Sequence, residues 1–436
     1  MDSYSGPIEV HLWNEVLGWL DYDINRHVSF FEMNPKCTWA NAAAPFLMSV
    51  YKNTDGNFGP FSNARGDDWF QGIPPMIADS LPDHFGNMVL AEYLDKIGKK
   101  DELNIPMQLA YIGERGLGAL EFKPTLIKQE NQIEVELAKL SELSNQVAES
   151  YLPEDITAEL LHNLFLVGTT AGGARSKAVV SINRQTNKLV AGDKMDQGFV
   201  PVIIKFDKMI RGTSETLQVG IIEMVYYDMA RKAGINMTES WLIENEGYYH
   251  FCTKRFDRDQ EQGKLHMQTY AALTCRSPLE LHRSEDVFKT MTKLGLLQDD
   301  LKQEFRRMCF SYMMCNGDRH TKNISFLMDK NGRWKPTPEY DVTFPFEMHR
   351  PWPRPNSLSI NNKVKDITAD DFLTLAKNIG VKSAGSIINE IADVVDTFYQ
   401  YAAKYSLKED YKNNVQKLLK PIRVFDKEQN KPKGVR

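Results

Sequence analysis

At 436 residues the chain is too long for one ordinary hydrophobic core, so two or three domains are expected. An apolar share of 42%, a charged share of 25% and a net charge of -5 describe a soluble globular protein and give no general reason to expect binding to nucleic acid or to a membrane. Five scattered cysteines without a CxxC pair argue against a disulfide framework or zinc site and fit a reducing cytoplasm. The opening residues lack the pattern of a secretory leader, and no run reaches the roughly 18 apolar residues of a spanning helix.

The first elements are strand-like. "PIEVHLW" alternates, with Ile8, Val10 and Leu12 on one face, and "NEVLGWLDYD" follows a turn. "LPDHFGNMVLAEYLDKIGKK" has helical character, and "AYIGERGLGALEFKP" turns through Gly113, Gly116 and Gly118 into a strand closed by Pro124. Residues 1–124 therefore form an α+β unit. Ile133, Leu137, Leu140 and Val147 recur at helical spacing, and "DITAELLHNLF" predicts a second helix. "LVGTTAGGARSKAVVSI" reads as strand, glycine-rich turn and strand, and "FVPVIIKFD" as a further strand ending on Lys205. A helix follows to Gly234, then a hairpin through Asn245–Gly247 and "KRFDR". From about residue 260 the pattern is mainly helical, interrupted by "NGDRHTKN" and by a hairpin around Asn331–Gly332 that returns the chain from Asn323 towards Asp341. The expected division is 1–124, 125–253, 254–425 and a disordered polar tail, 426–436.

"NGDRHTKNISF" (316–326) crowds Asp318, Arg319, His320, Lys322 and Asn323 between two apolar runs. Phosphoryl transfer asks for metal ions between the phosphates, a positive charge and an acceptor hydroxyl held in line. Magnesium takes only one or two hard oxygen ligands from a protein. Asp318 as the hydroxyl-orienting carboxylate, with Asn323 and Asp341 as metal ligands, meets this list, and D-x-x-x-x-N is the interval of the protein-kinase catalytic loop. The plainer alternative makes Asp318 a turn cap and Asn323 a loop residue. Lys205 is the natural phosphate-binding lysine and Glu223 its ion-pair partner; a snorkelling lysine and a solvated glutamate are the alternatives.

The glycine-rich turn would cradle phosphates through backbone N–H groups, Gly172, Gly173 and Ala174 among them, with Arg175 and Lys177 as charged contacts. Ala174–Arg175 stand where a Walker A loop would begin Gly-Lys-Ser/Thr, which speaks against a P-loop NTPase. "TKRFDR" reads as a connector whose backbone near Lys254 and Phe256 would meet adenine. Lys322 would neutralise developing charge, and His320 would fix the loop through a ring hydrogen bond.

Taken together, "GDRHTKNISF", "TPEYDV", "GTTAGGARSKA", "PVIIKF", "KRFDR", "LPD" and "IGERGLGALEF" resemble, in order over roughly residues 8–345, the HipA-type serine/threonine kinases of bacterial toxin–antitoxin systems. The resemblance implies a two-lobed kinase-like α+β fold with an extra N-terminal α+β subdomain and a mainly helical C-terminal lobe. It implies ATP with Mg²⁺ and transfer to protein serine or threonine. It also implies a self-inhibiting autophosphorylation in the glycine-rich loop, where Thr170, with Thr169 beside it, replaces the family's serine. The implied partners are a HipB-like DNA-binding antitoxin, through which alone DNA would be reached, and a protein substrate such as an aminoacyl-tRNA synthetase or another translation component. Two competing readings remain. "GDRHxxN" also resembles the loop of phosphoinositide kinases, which would make the chain a lipid or small-molecule kinase. A nucleotide-binding pseudokinase that acts as an antitoxin-binding module is the other.

Overall fold

The computed structural model describes residues 4–47, 57–66, 68–126, 133–153, 156–168, 175–208, 215–345 and 357–424. The glycine-rich turn with Thr169, Thr170, Gly172, Gly173 and Ala174 lies outside the described residues, as does the tail from 425. The chain gathers into two compact units. One comprises Met1–Met224, Thr238–Glu280 and Thr321–Tyr340; the other comprises Val225–Met237, Leu281–His320 and Asp341–Arg436.

The first unit opens with an antiparallel sheet. Its strands β1 (Ile8–Leu12), β2 (Glu15–Asp23), β3 (Val28–Met33), β4 (Asn57–Ser62) and β5 (Leu120–Lys123) lie in the order β4-β3-β2-β1-β5. Ile8, Val10 and Leu12 are fully buried, joined in one core by Leu20, Phe31 and Phe122, as alternation demands. The second sheet comprises β6 (Glu134–Val135), β7 (Lys177–Asn183), β8 (Lys188–Ala191), β9 (Phe199–Lys205), β10 (Ser240–Asn245) and β11 (Tyr248–Lys254), ordered β10-β11-β9-β7-β8-β6. Glu246 and Gly247, both at positive φ, make the two-residue turn between β10 and β11, the conformation that matches strand twist. The helices His84–Lys96, Leu137–Ala148 and Ala158–Gly168 share this sheet's apolar core, with Phe85, Leu164 and Phe165 packed among Ala178, Val180, Val202 and Ile204.

Two local expectations are corrected. Ile133 does not begin a helix: β6 pairs with β8 at the sheet edge, and the helix starts at Leu137. Leu166–Gly168 is the last turn of a helix, not a strand, because Val167 and Gly168 continue the buried face of Leu161, Leu164 and Phe165. A short apolar run fits either element, and the packing partner decides.

Buried charge fastens the two sheets together. Arg255 donates from Nε and Nη2 to both carboxylate oxygens of Asp257 at 3.0 and 2.8 Å, and from Nη1 to Asp193 at 2.7 Å. Arg258 reaches Asp193 at 2.6 Å and Asp257 at 2.8 Å. Both arginines also donate to the Gly116 carbonyl, Arg258 donates to that of Gly118, and Gly118 N–H donates to Asp257 at 2.8 Å. Burial alone would raise the Asp257 carboxyl, but the two guanidinium groups hold it far below the usual carboxylate range.

The helix Val219–Lys232 begins where β9 ends: Asp207 Oδ1 accepts the Val219 N–H at 3.1 Å. At Gly220 the helix lies so close to β11 that a Cβ would stand 2.0 Å from the Tyr249 carbonyl oxygen. Further on, His266–Thr269, Ser325–Met328 and Trp334–Pro336 form a small antiparallel sheet within the same unit: the last two are the hairpin expected around Asn331–Gly332, and His266–Thr269 adds a strand that the helical reading beyond residue 260 does not contain.

The second unit is mainly helical. Gln298–Met313, whose face Phe305, Met308, Cys309 and Met313 is buried, packs against Ala369–Ile379 and Ala384–Val395. The segment 275–297 is only partly helical: His282–Arg283 pairs in parallel with Leu358–Ser359 before the helix Ser284–Lys293. Among the described residues no helix is long and apolar enough to cross a membrane.

Two substitutions test this architecture. Asp257→Ala leaves two buried guanidinium groups short of a carboxylate and is expected to cost about 3–5 kcal/mol, read by chemical denaturation. Because the folded-state pKa of Asp257 is depressed, its contribution is complete at neutral pH and fades as pH falls below about 4. Gly220→Ala should gain roughly 1 kcal/mol from helix propensity, yet overpacking against Tyr249 reverses the sign to a loss of about 1–3 kcal/mol.

Candidate functional site

The geometry of the first unit converges at the end of β9. Lys205 Nζ donates to Glu223 Oε1 at 2.5 Å, and Glu223 is 2% exposed whereas Lys205 is 17% exposed. Strand and helix are set for this pair by Asp207, which follows the strand and accepts the N–H of Val219 at the head of the helix, and by the close approach at Gly220. Asp207 is itself held from behind, since its N–H donates to His250 Nδ1 at 3.1 Å. Burial pushes the His250 ring down to about 4, so it stands neutral as an acceptor at pH 7. Burial also raises the Asp207 carboxyl, against the N–H groups of Lys208 and Val219 that lower it. Arg175 Nη1 lies 3.8 Å from the second Glu223 oxygen, so three of the sequence-predicted residues meet here.

Lys177 is placed otherwise. Its ammonium, 2% exposed, meets Asp83 at 2.5 Å, and Asp83 also caps the helix His84–Lys96 by accepting from Gly86 N–H at 2.6 Å. Lys254 and Phe256 alternate with the buried Arg255 and Asp257 and are half-buried. The Lys254 carbonyl accepts from Thr238 Oγ1 at 3.2 Å. The Phe256 ring lies 5.5 Å from that of Tyr340.

The stretch 316–326 is shared between the units, and each part has its own support. In the first unit, Ile324–Met328 are all buried and pass into a strand. Tyr270 N–H donates to the Ile324 carbonyl at 2.7 Å and Ala271 N–H to that of Thr321 at 3.3 Å. The Tyr340 hydroxyl donates to the Lys322 carbonyl at 2.9 Å. Lys322 and Asn323 are half-buried between these anchors. In the second unit, Asp318 follows the helix Gln298–Met313, whose terminal carbonyls are satisfied by Tyr226 Oη on Met314 at 2.7 Å and by Lys420 N–H on Met313 at 2.9 Å. Arg319 Nη2 donates to both oxygens of Glu304 at 2.9 Å, and both residues are buried. Ser357 Oγ donates to the Gly317 carbonyl at 2.6 Å. Asp318, His320 and Asp341 are half-buried. Asp341 holds φ +54°, a left-handed conformation uncommon outside glycine and associated with functional positions.

Taken residue by residue, the chemistry of these side chains fits what Mg²⁺–ATP would require. Asn323 and Asp341 offer hard oxygens and are half-buried, and an ammonium stands at the Lys205–Glu223 pair. Among the described residues no three His, Cys, Asp or Glu side chains group to hold a metal by themselves.

Sequence reasoning missed Arg319 as an internal pin, Asp79 as the acceptor of Thr269 N–H and Oγ1 at 2.7 and 3.0 Å, and the Asp193–Arg255–Asp257–Arg258 network. The alternating Arg/Asp pattern of "KRFDR" was the available signal for the last. Nothing local pointed to Asp79.

Comparison with known proteins bears on the whole arrangement. The family model of the HipA N-terminal domain matches residues 8–123, and that of the HipA-like C-terminal domain matches 169–398. A Haemophilus influenzae protein named "Putative kinase" is 23% identical over 195 residues, covering 38% of this chain and 57% of that protein. The chain thus spans little more than half the length of the curated relative it matches. A solved structure of the Shewanella oneidensis HipA, HipB and operator DNA complex matches with a TM-score of 0.63 at 17% identity, over 94% of this chain and 96% of that one, which shows the fold. The Helicobacter pylori proinflammatory kinase CtkA matches 53% of this chain and 90% of its own, at 13% identity and a TM-score of 0.33, too distant to add to the argument. With the C-terminal family model alone covering more than half of the 436 residues and the α+β architecture in agreement along the chain, the protein belongs to the HipA family.

Proposed function

We propose that the chain is an ATP- and Mg²⁺-dependent serine/threonine protein kinase of the HipA type. The observation that carries this is the Lys205–Glu223 ion pair at the junction of β9 and the helix Val219–Lys232. A fully sequestered glutamate paired with a partly open lysine, at a strand end, is the device with which kinases hold the α- and β-phosphates. Its net contribution to folding is small, because desolvation offsets most of the attraction, so a role in binding explains it better than stability does.

In this reading Lys205 grips the phosphates, with Arg175 near the same glutamate. Asp318 orients the acceptor hydroxyl and takes its proton, Lys322 offsets negative charge on the transferred group, and His320 steadies the loop. Asn323 and Asp341 would hold Mg²⁺, which would supply neutralising positive charge to the phosphates. Lys177, sequestered with Asp83, belongs to the scaffold of the sheet. Thr170 or Thr169 is the proposed autophosphorylation site. A protein of the translation machinery is the proposed class of substrate, and a HipB-like antitoxin the proposed partner, by analogy with the Shewanella complex that contains HipB and operator DNA. The proposed location is the cytoplasm.

Intact-mass spectrometry after incubation with Mg²⁺–ATP tests the core of this. The wild type should gain a phosphate that maps to Thr169 or Thr170, and Asp318→Asn should gain none while still binding nucleotide. Phosphate appearing on inositol lipid and on no protein would move the reading to a lipid kinase, and nucleotide binding with no transfer to any acceptor would leave a pseudokinase. Glu223→Gln should weaken nucleotide binding and slow transfer by roughly 10- to 100-fold, about 1.4–2.7 kcal/mol, less than the full loss of a buried partner because the amide oxygen still accepts from Lys205. Parallel titrations of nucleotide affinity and single-turnover rate would measure it.

A further inference from the structure

Trp69 stands at the tip of a turn in the N-terminal region. Asp68 builds the turn by accepting N–H groups from Phe70 at 3.2 Å and Gly72 at 2.7 Å, and its own N–H donates to Asn63 at 3.0 Å. The indole is 41% exposed, so core packing does not account for it. Lys322 Nζ lies 5.7 Å from its ring centroid, within the ~6 Å reach of cation–π attraction. Two carboxylates from the same region act on this ammonium. Burial raises the Asp79 and Asp83 carboxyls, and Lys322 draws both back down, for Asp83 together with Lys177.

Asp79 works on the backbone as well. Its carboxylate accepts both the N–H and the hydroxyl of Thr269, and Thr269 caps the helix Tyr270–Thr274. The first two N–H groups of that helix hold the Ile324 and Thr321 carbonyls on either side of Lys322. Thus one N-terminal group sets the Lys322 backbone and another faces its ammonium. A lysine has four flexible side-chain bonds and about 2 kcal/mol of rotamer entropy, and stabilising charge in a transition state requires the cation to be in place beforehand.

We propose that Trp69 and Asp79 are positioning residues for phosphoryl transfer, through which the N-terminal subdomain holds Lys322 where charge develops on the transferred group. This role rests on the kinase reading above, so the test carries one readout that needs no catalysis.

In the full-length chain, the rate at which an amine-reactive ester acylates Lys322 is followed by peptide mass spectrometry in the wild type, Trp69→Leu, Trp69→Phe and Asp79→Asn. Trp69→Leu should speed acylation several-fold. It should also lower the transfer rate about two- to thirty-fold, the span of cation–π energies, with KM for ATP unchanged. Trp69→Phe, which keeps a ring and remains informative if the leucine variant does not fold, should retain most of both properties. In a Lys322→Met background Trp69→Leu should have no further effect on transfer. Asp79→Asn should move both readouts in the same direction as Trp69→Leu, and no movement would remove Asp79 from the proposal. Acylation indifferent to Trp69, or an equal loss of transfer with Lys322 already removed, overturns the role of Trp69 as well. Acylation that responds while the wild type transfers phosphate to no acceptor supports the contact and overturns the kinase reading instead.

Discussion

A carboxylate without access to water, Asp257, sits between two guanidinium groups and accepts a backbone N–H from the loop of another sheet. Taking these ions out of water costs several kcal/mol each, and the assembly is stable only when every donor finds its acceptor. The two arginines spend their remaining donors on Asp193 and on the carbonyls of Gly116 and Gly118. The loop before β5 can therefore meet the end of β11 in one way only. Gly118 takes part because it lies at φ +74° with Met267 N only 2.9 Å from where a Cβ would be. Strand alternation past β11 turns Arg255 and Asp257 inward and leaves Phe256 beside Tyr340, whose hydroxyl holds the Lys322 carbonyl. One buried charge cluster thus fixes the frame from which the Lys322 backbone is hung.

The Lys205–Glu223 pair follows different energetics. It has a single buried carboxylate, a partly open cation and a second cation, Arg175, at the edge of reach. Such a pair adds little stability, yet it keeps an ammonium at a defined point that anionic oxygens can approach. Its geometry depends on features with no chemistry of their own. The missing side chain at Gly220 lets the helix descend onto β11, and Asp207 caps that helix from the end of the strand. His250, neutral at pH 7, holds Asp207 in turn.

These contrasts explain what was legible in the amino-acid sequence. The strands with strict alternation, the hairpins with positive-φ turn residues and the amphipathic helices carry their information within ten residues or so, and they are found where the pattern puts them. The partnership of Lys205 with Glu223 was readable from order along the chain: the lysine ends an apolar strand and the glutamate lies early on the helix that follows it, 18 positions on. Leu166–Gly168 misled because an apolar run has no period of its own. Lys177 and Asp83 are separated by 94 positions, and Asp79 and Thr269 by 190. No local pattern encodes such pairs, so Lys177 reads as a free cation beside a glycine-rich turn although its charge is consumed by the fold.

The same long-range pairs decide what the N-terminal region is for. Cut at residue 124, the remaining chain would keep Lys177 buried without Asp83 and Arg255 and Arg258 without the Gly116 and Gly118 carbonyls. The helix Tyr270–Thr274 would also lose the acceptor at its cap, Asp79. Each of these is an unpaired buried charge or donor of the kind that proteins tolerate least. His84–Lys96, moreover, contributes Phe85 and Leu90 to the core of the second sheet. The N-terminal residues are accordingly part of the structural support for Lys205 and Lys322, not an appendage to it, and the two matched family segments, 8–123 and 169–398, describe pieces of one interdependent fold.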